Sequence, residues 1–322
     1  MTSTTGSTSS SPSSSQGSSS ASEKDRGACA PASGCCGPAP RRDEVLAADP
    51  RATVREKYGA VSQGRSVAAG CCSGPTDPEA VLAAMGYGAE EAAAIPEGAN
   101  LGLGCGNPTA FADLKAGETV LDLGSGGGID CFLAARRVGP QGRVSGVDMT
   151  PGMIERARGL AAREGVTNVQ FRLGEIEHLP VAERSVDAII SNCVVNLSPD
   201  KPQVFREALR VLKPGGRLLV SDLVLLRPLG PELQQNVELY VGCVAGAALK
   251  DDYLRLIRQA GFEQVEVLDQ GGYDVGCEGY PAGSPERAAF EAVASIKVRA
   301  VKPLAAAGSE CCDGACAEPG AC

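Results

Sequence analysis

Fourteen cysteines are spread over a 322-residue chain that holds one histidine, His178, and no tryptophan. Reduced thiols bind soft ions or do redox chemistry, whereas a zinc site built on several imidazoles is excluded by the histidine count. Cys29, Cys35, Cys36, Cys311, Cys312, Cys316 and Cys322 lie in the terminal segments; Cys71, Cys72, Cys105, Cys131, Cys193, Cys243 and Cys277 lie between them. Cys193 sits in "SNCVVNL", flanked by Asn192 and Asn196, and follows the strand-like run "SVDAII". The carboxyl end of a strand is where an open α/β sheet binds its ligand, and no histidine or acid stands there to act as a base. Cys131, on a helical pattern, reads as core; Cys277 reads as a loop residue with no role the sequence supports.

A second constellation is "LDLGSGGGID". It sets Asp122, Gly124, Ser125, Gly126 and Gly128 between a buried strand and a helix. Glycines let the backbone close on a ligand. The spacing G-x-G-x-G differs from the G-x-G-x-x-G that serves a pyrophosphate, which argues against a nicotinamide dinucleotide. An acid two residues before the first glycine suits a ligand with an ammonium group and no phosphate. Asp148, followed by Met149, ends the next strand, where a carboxylate accepts both ribose hydroxyls. Glu175 and Ile176 follow the third strand, with Glu175 placed for an edge contact to adenine.

The elements that must position these residues are regular from Glu118 onward. "TVLDLG", "RVSGVDM", "NVQFRLG", "SVDAIISN" and "RLLVSDL" read as strands; "GIDCFLAARRV", "PGMIERARGLAAREG" and "PDKPQVFREALRVLKPGG" read as the helices between them. Such alternation implies an α/β fold with a parallel, doubly wound, Rossmann-like sheet. A helix over "PELQQNVELYVG", a helix over "LKDDYLRLIRQAGF", a strand over "EQVEVLD" and a closing helix and strand follow. Val54, Tyr58 and Val61, at helical spacing, mark a helix before the core. The expected organisation is a disordered Ser-, Gly- and Cys-containing segment over 1–44, helices plus the sheet core over 45–230, a smaller C-terminal α+β region over 231–302, and a Cys-rich disordered tail over 303–322. A net charge of −9 argues against a nucleic-acid partner. No run of about 18 apolar residues marks a membrane span. The opening "MTSTTGSTSS" lacks the basic and apolar regions of a secretory signal, so a cytoplasmic protein is expected.

The glycine loop, Asp148 and Glu175 on successive strands resemble the class I S-adenosylmethionine (SAM) methyltransferases. The segments "YGAVSQGRSVAAGCC", "NLGLGCGNP", "GVDMTPGMIERAR", "GEIEHLPV", "SNCVVNLSPDK" and "YVGCVAGAALKDDY" sharpen this to a resemblance to the arsenite methyltransferase family, over most of residues 54–302. The resemblance implies SAM as methyl donor, bound by Asp122, Gly124, Ser125, Gly126, Asp148, Met149, Glu175, Ile176 and the backbone carbonyl of Asn192. It implies Cys105, Cys193 and Cys243 as ligands of trivalent arsenic. It further implies that an upstream cysteine, Cys71 or Cys72, pairs with Cys105 on oxidation, and the doublet leaves the choice open.

The chemistry is coherent. Trivalent arsenic is soft and favours thiolate sulfur; serine is too hard, and carboxylate or imidazole holds it poorly. Three sulfurs around it form a pyramid with a lone pair at the apex, so the metalloid is itself the nucleophile. Methylation oxidises arsenic from trivalent to pentavalent, and thiols forming a disulfide return two electrons, with thioredoxin or glutathione restoring the dithiol. Two other readings are a methyltransferase of the same fold acting on another small molecule, and a thiol-rich protein that binds soft metals. The terminal cysteine clusters depart from the family pattern.

Overall fold

The computed structural model of the protein describes residues 49–65, 82–83, 85–273, 277 and 280–304. Cys71, Cys72 and the terminal cysteines lie outside the described residues. The strands are β1 (Thr119–Leu123), β2 (Arg143–Asp148), β3 (Val169–Leu173), β4 (Val186–Asn192), β5 (Leu212–Leu225), β6 (Glu263–Gly272) and β7 (Val293–Val301). They form one sheet in the order β3-β2-β1-β4-β5-β7-β6.

Strands β1 to β5 pair in parallel, and β7 pairs antiparallel with both β5 and β6. The sheet is therefore mixed rather than wholly parallel. The reason lies in the connections. Crossover helices α3 (Ile129–Val138), α4 (Pro151–Arg163), α5 (Lys201–Val211) and α8 (Lys250–Gln259) return the chain to the starting edge of the next strand. Among the described residues between β6 and β7 the one helix is α9 (Pro285–Phe290), and β7 runs back beside β6.

The central strands are near-continuous apolar runs because both of their faces are covered. Leu121, Leu123, Ile189, Leu218 and Val220 pack on one side with Val204, Phe205 and Ala208 of α5 and Tyr253 and Ile257 of α8. Val120, Ala188, Ile190 and Leu219 pack on the other with Phe132 and Ala135 of α3 and Ile154 and Ala157 of α4. The alternation along each strand is the two-residue period of the pleat. A third apolar cluster caps the carboxyl end of the sheet, uniting Val54 of α1 (Arg51–Ser62) with Leu223, Leu225, Leu239, Tyr240, Cys105, Cys193 and Cys243.

One expected helix is divided. The run "PELQQNVELYVG" forms α6 (Pro231–Gln234) and α7 (Val237–Val241), following α2 (Ala89–Ala94) and the elements above. The break falls at Asn236, whose extended backbone lets its side chain accept the Leu239 N–H at 2.9 Å. Asparagine favours such caps over helix interiors because its side chain competes for local backbone donors. The new N-terminus re-aims the chain toward Cys243. Asn236→Ala should cost about 1 kcal/mol of stability, measurable as a lowered urea midpoint with an unchanged slope.

Candidate active site

The carboxyl ends of β1, β2 and β4 open on a cavity of about 730 Å³. Its volume falls in the range of small-molecule sites. Asp122, Gly124, Ser125, Gly126, Asp148, Met149, Ile176 and Asn192 all line it, together with Cys193 and Cys243. Tyr58 and Val61 of α1 lie across it, and Tyr87, Tyr273 and Phe290 complete its walls. Glu175 is the exception among the expected donor residues. Its carboxylate accepts from Arg51 at 2.8 Å and Arg55 at 3.2 Å, and it is not part of the wall. Two guanidinium groups of α1 engage it.

Buried acids dominate the polar side of the cavity. Asp148 is anchored by the backbone, accepting from Gly126 N–H at 3.0 Å and Thr150 N–H at 2.8 Å. Asp130, on α3, accepts from the Tyr87 hydroxyl at 2.8 Å and from the Asn192 amide at 3.2 Å. Asp122 accepts only a thiol bond, from Cys131 at 3.2 Å. Burial pushes the pKa values of Asp122, Asp130 and Asp148 up, and for Asp122 the neighbouring Asp130 adds to the shift. Buried carboxylates without a cation are costly; a cationic ligand would relieve that cost. The buried Ser125 hydroxyl, also on the wall, has no partner. An acid pair, an acid beyond it and an unpaired hydroxyl fit a ligand that carries an ammonium group and a sugar.

The three expected arsenic ligands converge at one edge of this cavity. Cys193 neighbours both Cys105 and Cys243, and all three are buried. Cys193 and Cys243 face the cavity, whereas Cys105 lies behind its wall with its thiol 3.4 Å from the Ser221 carbonyl. The Cys243 thiol lies 2.9 Å from the Cys193 carbonyl. The pKa values rise above the ordinary thiol value of 9.0: for Cys193 and Cys243 chiefly through the neighbouring cysteine, Cys105 and Cys193 respectively, and for Cys105 through burial.

Two of these cysteines adopt left-handed backbone, with φ of 57° at Cys193 and 65° at Cys243. Only glycine adopts it freely, and for other residues it costs of order 1 kcal/mol or more. At Cys243 the cause is a Schellman turn closing α7: Val244 N–H bonds the Leu239 carbonyl and Cys243 N–H bonds the Tyr240 carbonyl. The position where such a turn favours glycine holds the thiol instead.

The chain has relatives of known name. A family profile described as a methyltransferase domain matches residues 114–261. The arsenite methyltransferase of Halobacterium salinarum is 44% identical over 307 residues, spanning 87% of this chain and 78% of that protein. The chain belongs to the arsenite methyltransferase family. The arsenite methyltransferase of Aquipseudomonas alcaligenes is 40% identical over 67% of this chain and 63% of its own length. Among solved structures, the arsenic(III) S-adenosylmethionine methyltransferase of Chlamydomonas reinhardtii is 34% identical, with a TM-score of 0.55 over 73% of this chain and 76% of that one.

Within this arsenite methyltransferase fold, sequence reasoning missed several residues. Asp130 closes the run "LDLGSGGGID" without standing out in it, and Tyr87 lies in a loop with no motif to mark it. Asp222, in "VSDLV", reads as the last polar residue of a strand, yet it is fully buried against the thiols. Ligand atoms of Cys105, Cys193 and Asp222 lie within 4.8 Å of one another. Asp222 accepts from Tyr253 hydroxyl, Asn196 amide and Leu223 N–H, each at 2.9 Å. Burial outweighs these bonds and pushes its pKa up to about 7. A folded-state pKa above the ordinary 3.8 means that Asp222 favours folding fully below that value and ceases to as pH rises through about 7. Asp222→Asn should therefore lose less melting temperature than the parent between about pH 5 and about pH 8, read by scanning calorimetry; an identical pH profile would refute the assignment.

Proposed function

We propose that this protein methylates trivalent arsenic, taking the methyl group from S-adenosylmethionine while Cys105, Cys193 and Cys243 hold the metalloid. The observation that carries the reading is the meeting of Cys193 with Cys105 and Cys243 on the edge of a cavity lined by buried acids. Asp122 and Asp130 would hold the donor's ammonium group, Asp148 its ribose hydroxyls, and the Ser125 hydroxyl and Asn192 carbonyl further polar groups.

When bound, S-adenosylmethionine supplies an electrophilic sulfonium methyl to the arsenic lone pair. The chain's own part is binding and aim. Each arsenic–oxygen bond exchanged for arsenic–sulfur joins a thiol proton to the departing hydroxyl as water, so loading protonated thiols leaves no net proton behind. Tyr58, Tyr273 and Phe290 add apolar surface to the wall of the site. Orientation of two reactants in this way is worth up to roughly 7–11 kcal/mol. No added base is needed, which accounts for a cysteine standing where other methyltransferases of this fold place catalytic groups.

Each methylation raises arsenic by two electrons, and two thiols oxidised to a disulfide return them. Cys71 or Cys72 with Cys105 is the expected pair, and thioredoxin or glutathione the expected external reductant. That requirement places the protein in a reducing compartment such as the cytoplasm. Among the described residues no helix is long and apolar enough to cross a membrane.

Incubation with arsenite, S-adenosylmethionine and a thiol reductant, followed by arsenic speciation, tests the reading. S-adenosylhomocysteine should appear only when arsenite is present; saturable arsenite binding without turnover would instead support a thiol-rich binding protein. Cys193→Ser and Cys243→Ser should each lower every methylation step by about 10²-fold or more. Cys105→Ser should lose the first step while retaining activity on a monomethylated arsenical, which needs two sulfurs. Asp148→Ala should raise the KM for the donor and leave arsenite affinity near the parent value, by titration calorimetry.

A further inference from the structure

The three thiols are not held in the same way. Cys193 N–H bonds the Ser221 carbonyl at 2.8 Å and Cys243 N–H bonds the Tyr240 carbonyl at 2.9 Å, so main-chain structure fixes both. Cys105 lies in a loop without such a bond to strand or helix, and side chains hold it instead. The Asn192 Oδ1 accepts the Cys105 N–H at 3.0 Å, and the Asn192 Nδ2 donates to the Gly106 carbonyl at 2.7 Å. The Ser295 hydroxyl donates to the Cys105 carbonyl at 2.9 Å.

The backbone on either side is pressed against these partners. A Cβ at Gly104 would lie 3.0 Å from the Asn192 amide, and one at Gly106 would lie 2.0 Å from the Ser221 hydroxyl. The loop therefore has to be glycine-flanked for Cys105 to reach the cluster. The same Asn192 Nδ2 also donates to the Tyr87 hydroxyl at 3.1 Å and to Asp130 at 3.2 Å, both on the wall of the donor cavity.

We propose that the Asn192 side chain is a positioning residue that holds Cys105 against Cys193, and that it thereby governs the methylation step that needs a third sulfur. The inference rests on the arsenic-methylating function proposed above. Inorganic arsenite exchanges three hydroxyls for three thiolates, releasing three waters. A monomethylated trivalent arsenical carries carbon in one position and exchanges two hydroxyls for two thiolates, releasing two waters. Cys193 and Cys243, fixed by the main chain, suffice for the second substrate; the first also requires Cys105 in place. Loss of the Asn192 amide removes two of the bonds that place Cys105 and none of those that place the other two thiols.

The test compares initial rates on arsenite and on methylarsonous acid, with the full chain and saturating S-adenosylmethionine and thiol reductant. In Asn192→Ala the ratio of the arsenite rate to the methylarsonous rate should fall by about ten-fold or more, whatever the change in donor KM. Arsenic X-ray absorption on the arsenite-loaded proteins should count three sulfurs in the parent and two in the variant. Ser295→Ala, remote from the donor cavity, should lower the same ratio in the same direction, and it carries the test if Asn192→Ala does not fold. Equal losses on both substrates, or three sulfurs retained, would overturn the proposal while the parent remains active. A parent inactive on both arsenicals would overturn the functional reading, and this inference with it.

Discussion

Everything at the carboxyl end of this sheet follows from one requirement: sulfur atoms from residues far apart in sequence must meet in an apolar enclosure. Cys105 comes from a loop before β1, Cys193 from the end of β4, and Cys243 from the turn after α7, and Cys193 neighbours the other two. The apolar cluster that encloses them buries all three, and burial pushes the Cys105 thiol pKa up. A soft metalloid arriving with oxygen ligands exchanges them for sulfur without leaving charge behind, so the enclosure is compatible with loading. The same burial that makes a free thiolate costly makes a sulfur-bound neutral substrate welcome.

The opposite side of the cavity has the complementary electrostatic character. Asp122, Asp130 and Asp148 are buried with raised pKa values, and the bonds they accept come from neutral donors. A protein that keeps several carboxylates out of water without a cation stores unfavourable energy that a cationic ligand releases. Helix α1 covers this region, its Tyr58 and Val61 on the wall and its Arg51 and Arg55 engaged with Glu175. Lys201, buried near Asp222, contributes the opposing positive charge on the thiol side and has its own pKa lowered by burial.

Much of this was legible in the sequence, because the strands are apolar runs bounded by glycine and the helices between them carry plain amphipathic patterns. Strands β1 to β4 and the crossover helices fall where periodicity and turn residues set them. The glycine loop and the cysteines kept recognisable spacing because backbone approach and soft-ion binding constrain residue type directly. What was illegible depends on contacts between distant segments. The reversal of β7 rests on its pairing with both β5 and β6, which no local pattern marks, and the division at Asn236 on a cap that competes with helix continuity. Asp130, Tyr87 and Asp222 carry no local signature, since any helix or strand holds such residues on its surface. Glu175 has the right position along the chain, and two arginines of α1 decide its direction.

The turn that presents Cys243 has a further consequence. Its bonding pattern is the one in which a helix end relaxes best around a residue without a side chain, and φ of 65° is tolerated by cysteine only at a cost. Glycine there would make the terminus sturdier and leave the substrate one ligand short. A hardier helix end and a full set of thiols therefore make opposite demands on this one position.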